Sequence, residues 1–107
     1  MCVVNMYNQL ELYNEYKNDN KDSIVLLKYK NLYLTYEEDA LILNKLFDYK
    51  MFNNEVAILY KDRDILMNKL DENKINFIIC DFHDIKIYPY KNNNYNIVLE
   101  GIKCNLI

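Results

Sequence analysis

The chain has 107 residues, 51% of them hydrophobic and 27% charged, with a formal net charge of −3 and a pI near 5.1. This length predicts one domain, residues 1–107, with a real hydrophobic core. Gly101 is the only glycine, whereas a Walker-type phosphate loop needs two glycines and a dinucleotide-binding turn needs three. Nucleotide-hydrolysing and dinucleotide-dependent enzymes are therefore excluded. The acidic pI, far below the ~9 typical of nucleic-acid-binding domains, means that any contact with DNA has to be local.

The cysteines and the apolar runs indicate the compartment. Cys2, Cys80 and Cys104 are odd in number, lie far apart and form no Cys-x-x-Cys pair, so they suggest neither a disulfide framework nor a zinc site. The N-terminus lacks a signal-peptide pattern, and no apolar run approaches the ~18 residues that span a bilayer. We expect a protein of the reducing cytoplasm. Its 17 Asn residues and its excess of Lys over Arg indicate A/T-rich codons, as in a low-GC bacterium or a mobile element.

The first third of the chain predicts a helix followed by a β-hairpin. Hydrophobic side chains recur at three-to-four spacing over residues 6–18, which is typical of an amphipathic helix. Residues 23–29 and 32–36 have the length and the bounding polar residues of short strands. The two strands are expected to turn at Lys30 and Asn31.

A second helix is predicted directly after the hairpin. Thr35 and Glu38 have the spacing of a capping box, in which the Thr hydroxyl accepts from a free helical N–H and the Glu carboxylate reaches back to the cap residue. An apolar stripe at helical spacing then runs from Ala40 to Lys50. Thr35 is thus expected to cap this helix rather than to act as a nucleophile.

The middle of the chain alternates strand, helix and strand. Residues 55–60 form an apolar run of buried-strand length, and Asp62 or Asp64 can cap the helix that follows. Residues 75–80 form a second inner strand. Asp62 and Asp64 are interpreted as capping and surface charges, because side chains two residues apart on a helix point in different directions.

The last quarter of the chain is predicted to form a second hairpin across the Asn-rich loop at residues 91–96. Its two arms are marked by apolar residues, Phe82, Ile85 and Ile87 on one side and Ile97 and Leu99 on the other. Pro89 marks an edge or an end, since it cannot donate to a strand ladder. The fold class predicted from this order is α+β (mixed α/β), a mixed sheet with about three packed helices.

Several blocks of the chain align with one known family in order and spacing. The stretch VLLKYKNLYLTYEEDA, residues 25–40, aligns without gaps with LFFRMGDFYELFGEDA, and residues 59–70 are similar to PYHAVDRYLAKL. Residues 77–80 are similar to VAIC in residue type, and the leading helix resembles MMQQYLELK. These blocks belong to the N-terminal mismatch-recognition domain of the MutS DNA mismatch-repair proteins, which inserts into the minor groove at a mispair. The resemblance covers about residues 6–81 and implies a MutS domain I-like fold.

The resemblance also locates the residues expected to meet DNA. The family reads a mispair with Phe-x-Glu, where the Phe stacks on a base and the Glu hydrogen-bonds its edge, but the matching positions here are Leu32 and Leu34. A Leu can wedge between base steps, yet it has no π-face and no polar group. The family glycine before the Phe falls on Lys30, and a basic residue is kept as Lys28. The DNA-binding residues predicted are Lys28, Lys30, Leu32 and Leu34, without mismatch specificity.

Two functions stay open on this sequence, and both are non-catalytic, without cofactor or nucleotide. The first is DNA association, which is favoured by a local net charge of about +2 over residues 17–34 and by Tyr29, Tyr33 and Tyr36 among and just after the lysines. The second is a protein-interaction or regulatory module, or a homo-oligomer, that keeps the fold without binding DNA. The eleven tyrosines, above all Tyr88 and Tyr90 around Pro89, favour it, because Tyr is enriched at protein interfaces.

The sequence gives little support for an enzyme or for a metal site. Strand alternation puts Asp81 and His83 on one face, which supplies two metal ligands but no complete site, and it sends Asp84 to the opposite face. The same alternation separates Cys80 from His83 and argues against a nucleophile pair. We therefore predict no catalytic residues and no metal ligands.

Overall fold

The computed structural model describes residues 2–81 and 84–105, with the side chains of residues 9–81 and 84–104. In chain order the elements are α1 (Cys2–Asp19), β1 (Ile24–Tyr29), β2 (Leu32–Tyr36), α2 (Glu37–Phe47), β3 (Glu55–Leu59), a 3₁₀ turn (Tyr60–Asp62), α3 (Arg63–Glu72), β4 (Phe77–Asp81), β5 (Asp84–Tyr88) and α4 (Tyr95–Asn105). All elements predicted up to β4 are present. Asp62 lies at the N-cap of α3, although its side chain makes no capping hydrogen bond.

The five strands form one mixed sheet in the order β3-β2-β1-β4-β5. β1 and β4 are parallel, with Ile24 opposite Phe77, and every other neighbouring pair is antiparallel. The apolar runs that became β1 and β4 lie at the middle of the sheet and are buried on both faces, as continuous hydrophobic strands require. The mixed α+β fold predicted from the sequence is confirmed.

Alternation along the strands divides the core into two clusters, one on each face of the sheet. Val25 and Leu27 of β1 face α1 and pack with its Tyr13. Ile24 and Leu26 face the other way, into the larger cluster built with α2, α3 and α4. We call these the α1 face and the three-helix face. Among the described residues no helix is long and apolar enough to cross a membrane.

The second arm of the predicted C-terminal hairpin is wrong, because residues 95–105 form the helix α4 instead. The spacing of Ile97 and Leu99 is compatible with a strand, but Tyr95 and Leu99, four residues apart, are the pair that reaches the core. The main-chain N–H of Val98 donates to Asn94 O at 2.9 Å and starts the helical pattern. The described part of the chain thus has four helices instead of about three.

The capping role predicted for Thr35 is also wrong. β2 continues to Tyr36, which occupies the N-cap of α2 in an extended conformation without a side-chain capping bond. Thr35 is a fully buried member of β2. The chain enters α2 through Glu37, whose φ is 53°, so the hydroxyl of Thr35 sits one residue too early to serve the helix.

Candidate nucleic-acid interface

The β1–β2 turn keeps a backbone shape that suits glycine. Lys30, its first central residue, has φ 55°, whereas Asn31 does not have a positive φ. Positive φ at the first position only is the pattern of a type II′ turn, which favours glycine there. The ammonium of Lys28 donates to the carbonyl of Lys30 at 2.6 Å. The left-handed conformation therefore falls on Lys30, the position aligned with the family glycine, and not on Asn31.

The entry to α2 shows the same feature. Glu37, at φ 53°, falls on the second glycine of the aligned family stretch. Its N–H donates to Asn54 O at 2.9 Å and joins this bend to the start of β3. A left-handed conformation costs a non-glycine residue roughly 1–2 kcal/mol. Both positions that the sequence alignment pairs with family glycines thus have a backbone shape that favours glycine.

The structure does not bring the four predicted DNA-binding residues onto one surface. Leu34 is buried on the α1 face, where only 6% of it is exposed, and Leu32 is half-buried against the same cluster. Lys28 lies opposite Tyr33 in the ladder and so points to the three-helix face. Lys30 is exposed in the turn between them. Lys30 is exposed and Lys28 is half-buried, whereas Leu34 is packed away from solvent.

Beside this turn, cations and aromatic rings form a second surface, which we call the open corner: Lys28, Tyr33, Tyr60 and Arg63. The N–H of Tyr60 donates to Asn31 O at 2.7 Å and fixes the 3₁₀ turn against the hairpin. The rings of Tyr33 and Tyr60 stack with centroids 5.7 Å apart. Lys28 Nζ lies 4.8 Å from the Tyr60 ring centroid and the Arg63 guanidinium carbon 5.4 Å. Tyr60 itself is 43% exposed.

The open corner lines a concavity of about 190 Å³ on the three-helix face, at the carboxyl ends of the parallel strands β1 and β4. In open sheets with parallel strands this end is where ligands commonly bind. Burial raises the pKa of Tyr33, and the nearby Arg63 offsets part of that rise. Asp81, Asp84 and Lys86 also line the concavity. Its chemistry is therefore mixed, with two cations and two rings toward β2, and with two carboxylates and Lys86 toward β5.

Sequence reasoning missed Tyr60 and Arg63 as site residues. Tyr60 was among the matches in the second family block, and Arg63 is the only arginine of the chain. Their approach to Lys28 depends on the β2–β3 register, in which Leu32 lies opposite Leu59. The available signal was that the single arginine of the chain follows, three residues on, a tyrosine that matches the family block.

A buried carboxylate organises the other end of the β1–β2 hairpin. Asp39, fully buried, accepts from the hydroxyls of Tyr13 and Tyr95, each at 2.6 Å, from Lys17 Nζ at 2.8 Å and from the Val25 N–H at 3.0 Å. These donors come from α1, β1 and α4, while Asp39 belongs to α2. The carboxylate is saturated by the chain's own groups, so its role is to hold four elements together.

The chemistry considered around Cys80 is limited by burial. Burial raises the pKa of the Cys80 thiol to about 12, which leaves almost no thiolate, the nucleophilic form, at neutral pH. His83 and Phe82 lie outside the described residues. Over residues 2–81 and 84–105, no group of three or more His, Cys, Asp or Glu side chains is placed to hold a metal ion.

Comparison with known families agrees with the fold and the site described above. The family model of MutS domain I matches residues 8–84, well over half of the chain. The chain therefore belongs to the MutS domain I family, and the resemblance drawn from its sequence blocks is confirmed. No curated protein matches the chain. The matched residues include the glycine-aligned positions Lys30 and Glu37 and the whole open corner.

Proposed function

We propose that this chain is a non-catalytic DNA-binding domain that holds DNA at the open corner and the adjoining Lys30 turn without reading a mispair. Membership of the MutS domain I family, a mismatch-recognition type of domain, supports DNA as the partner. The observation that carries the proposal is the pair of cations, Lys28 and Arg63, placed over the exposed ring of Tyr60.

The open corner suits a nucleic acid chemically. Lysine and arginine neutralise phosphates and release counterions, and an exposed tyrosine ring offers a face on which a base of any identity can stack. Lys30 adds a third cation, which is exposed at the turn, to the half-buried Lys28 and Arg63. The carboxylates Asp81 and Asp84 on the far side of the concavity oppose phosphate, so the backbone of the DNA is expected along the β2 side.

Mismatch discrimination is not part of the proposal. Leu34, at the position of the family's Glu, has no hydrogen-bonding group and is buried on the α1 face. Leu32 has no aromatic face and is half-buried. Binding through phosphates and sequence-tolerant stacking predicts equal affinity for matched and mispaired duplexes.

Fluorescence anisotropy with labelled matched, mispaired and single-stranded DNA tests the proposal. We expect dissociation constants of about 10⁻⁴–10⁻⁶ M that weaken steeply with salt, as for non-specific binding. Lys28→Ala and Arg63→Ala should each reduce the slope of log K against log salt by about 0.7–0.9, the loss of one phosphate contact. Lys21→Ala is the matched control, because Lys21 is exposed before β1, at the opposite end of that strand. Absence of binding tighter than ~10⁻⁴ M at low salt would refute the proposal.

The proposal also assigns no catalytic residue, cofactor or metal to the chain, and places it in the cytoplasm. A single glycine rules out the phosphate loops that nucleotide chemistry requires. Cys80 and Cys104 are free thiols, which is the state that a reducing compartment maintains.

A second candidate function, a protein-interaction module that does not bind DNA, is supported by one feature. Ile85 and Ile87 on β5 are 47% and 63% exposed. Exposed isoleucines on an edge strand favour association with another chain. Self-association without DNA binding would select this second function.

A further inference from the structure

A second cavity lies at the same end of the sheet as the open corner, but on the α1 face; we call it the α1-side cavity. It has a volume of about 400 Å³ and lies between α1 and the carboxyl ends of β1 and β4. Leu27 and Cys80, which are buried and lie opposite each other in the β1–β4 ladder, belong to its lining. Its volume falls within the range of ligand-binding pockets, about 300–1,000 Å³.

The α1-side cavity combines apolar and aromatic walls with a cation. Leu12 and Tyr16 line it from α1, and Tyr29 lines it from the end of β1. Lys30 Nζ lies 5.4 Å from the centroid of the Tyr29 ring. The open corner likewise has a lysine ammonium over a tyrosine ring. The same pair of groups is therefore present on both faces of the sheet.

The two cavities meet around the end of the sheet. Lys28 and Asp81 line both of them. Asp81 is the last residue of β4, and Lys28 is the last but one of β1. A chain-like ligand can therefore pass from one cavity to the other over the end of the sheet, with Lys28 between the two.

The charge around the two cavities favours an anionic chain. The cations are Lys28, Lys30, Arg63 and Lys86, and the carboxylates are Asp81 and Asp84. Cations are thus in excess along this path, although the whole chain has a net charge of −3. A path that combines cations with aromatic rings is typical of proteins that hold single-stranded nucleic acid, because the cations follow the phosphates and the rings stack on bases.

A DNA duplex cannot use both cavities at once. The bases of each strand stay stacked at intervals of about 3.4 Å inside the double helix, so they cannot enter two cavities that lie on opposite faces of a sheet. The bases of a single strand can turn outward separately. A duplex is therefore expected to reach the open corner alone, whereas a single strand reaches both sites.

We propose that this chain binds single-stranded DNA in preference to duplex, with one base at the open corner and a second base in the α1-side cavity. The phosphates between these bases lie along Lys28 and Lys30. This inference rests on the DNA binding proposed above and adds the form of DNA to it. The second base, packed against the Tyr29 ring, is expected to tighten binding about fivefold or more.

Fluorescence anisotropy of the full chain with three labelled probes of about 16 nucleotides tests the preference. The probes are a single strand of mixed sequence, the duplex that it forms with its complement, and an abasic strand, which keeps the phosphates and lacks the bases. The wild-type chain should bind the single strand at least about fivefold more tightly than the duplex or the abasic strand.

Two variants of the α1-side cavity locate the second base. Tyr29→Leu and Tyr16→Leu each remove a ring and keep an apolar side chain. Each should weaken single-strand binding about fivefold or more, while the affinities for the duplex and the abasic strand change less than about twofold. Tyr49→Leu is the matched control, because Tyr49 is also half-buried beside a lysine ammonium, that of Lys69 at 4.9 Å, but lines neither cavity. It should bind all three probes like the wild type.

Failure of this inference and failure of DNA binding give different results. Absence of binding to every probe overturns both. Equal affinity for the three probes leaves the DNA binding proposed above in place and overturns the preference for a single strand. The inference is overturned as well if both cavity variants, with folds confirmed by circular dichroism, bind the single strand like the wild type. A loss of the same size with the abasic strand also overturns it, because no base is then involved.

Discussion

The two ends of the β1–β2 hairpin treat charge in opposite ways. At the end where β2 passes into α2, the Asp39 carboxylate is fully buried and all of its acceptor capacity is used by the chain itself. At the turn end, Lys28 and Arg63 rest on the exposed ring of Tyr60. The first arrangement stabilises the fold and leaves nothing for a ligand. The second leaves the exposed part of Tyr60, with the two cations beside it, accessible to one.

The largest effect separating the two ends is expected at Asp39. Asp39→Ala removes the carboxylate that Lys17, Tyr13 and Tyr95 share. Lys17 and Tyr13 each keep a main-chain carbonyl, but the buried Tyr95 hydroxyl loses its acceptor and Lys17 its counter-charge, so the free energy of unfolding should fall by about 3–5 kcal/mol. Urea denaturation measures this change. The matched control is Glu38→Gln, because Glu38 is half-exposed and pairs with Lys103 at 2.5 Å; loss of a surface pair should cost less than about 1 kcal/mol. Equal effects at the two positions would contradict the distinction.

Alkaline pH should destabilise the same buried cluster. Burial first, and then the charge of Asp39, raise the pKa of Tyr13 and of Tyr95 above the ordinary value of 10.0. The unfolded chain loses these protons near pH 10 while the folded chain keeps them, so stability is full below pH 10 and falls above it. Two such groups imply a loss of roughly 2.7 kcal/mol per pH unit.

Urea unfolding between pH 8 and pH 11 tests this dependence. In Tyr13→Phe the fall with pH should become shallower, because one of the two groups is gone. A slope that Tyr13→Phe does not change would count against the cluster as its origin.

At the open corner, removal of one ring should affect binding and leave the fold in place. Tyr60→Leu eliminates the exposed stacking face, and loss of base stacking costs about 1–3 kcal/mol of binding free energy. Anisotropy titration with single-stranded DNA measures it, with thermal unfolding as the check on stability. Affinity within twofold of the wild type would show that the ring of Tyr60 takes no part.

The smallest expected effects concern Lys30 and Glu37, the left-handed residues at the two ends of the hairpin. Lys30→Gly and Glu37→Gly remove a left-handed strain of roughly 1–2 kcal/mol, partly offset by the entropy of glycine, so each should raise stability by about 0.5–1 kcal/mol. Asn31→Gly is the matched control and should destabilise, since Asn31 lacks a positive φ. Thermal unfolding distinguishes the three variants. Destabilisation by both of the first two would contradict the assigned backbone shapes.

Much of the fold could be predicted from the sequence, but some elements were predicted better than others. The strands β1, β2, β3 and β4 follow from local apolar runs, and the family assignment follows from block order. α4 was predicted as a strand because the spacing of Ile97 and Leu99 fits one, while its true inward pair, Tyr95 and Leu99, is set by long-range packing, including the hydrogen bond from Tyr95 to Asp39. Thr35 has a capping sequence, yet the bend at Glu37 places it inside the sheet.

The candidate site was harder to predict from the sequence than the fold. Lys28 and Lys30 come from the family motif, and the structure places both near the turn. Tyr60 and Arg63 lie about thirty residues away along the chain, and the β2–β3 register brings them there. That Leu32 and Leu34 face α1 also depends on long-range pairing, because only the packed sheet decides which face of a strand a helix covers.

NMR chemical-shift mapping with a short DNA duplex tests the central claim most directly. If the open corner holds DNA, the backbone amides of Lys28, Asn31, Tyr60 and Arg63 should shift with increasing DNA and relax toward their free positions as salt is added. The amides around Asp39 should stay in place. Shifts confined to regions away from the corner, or none at a DNA concentration of about 1 mM, would contradict the assignment.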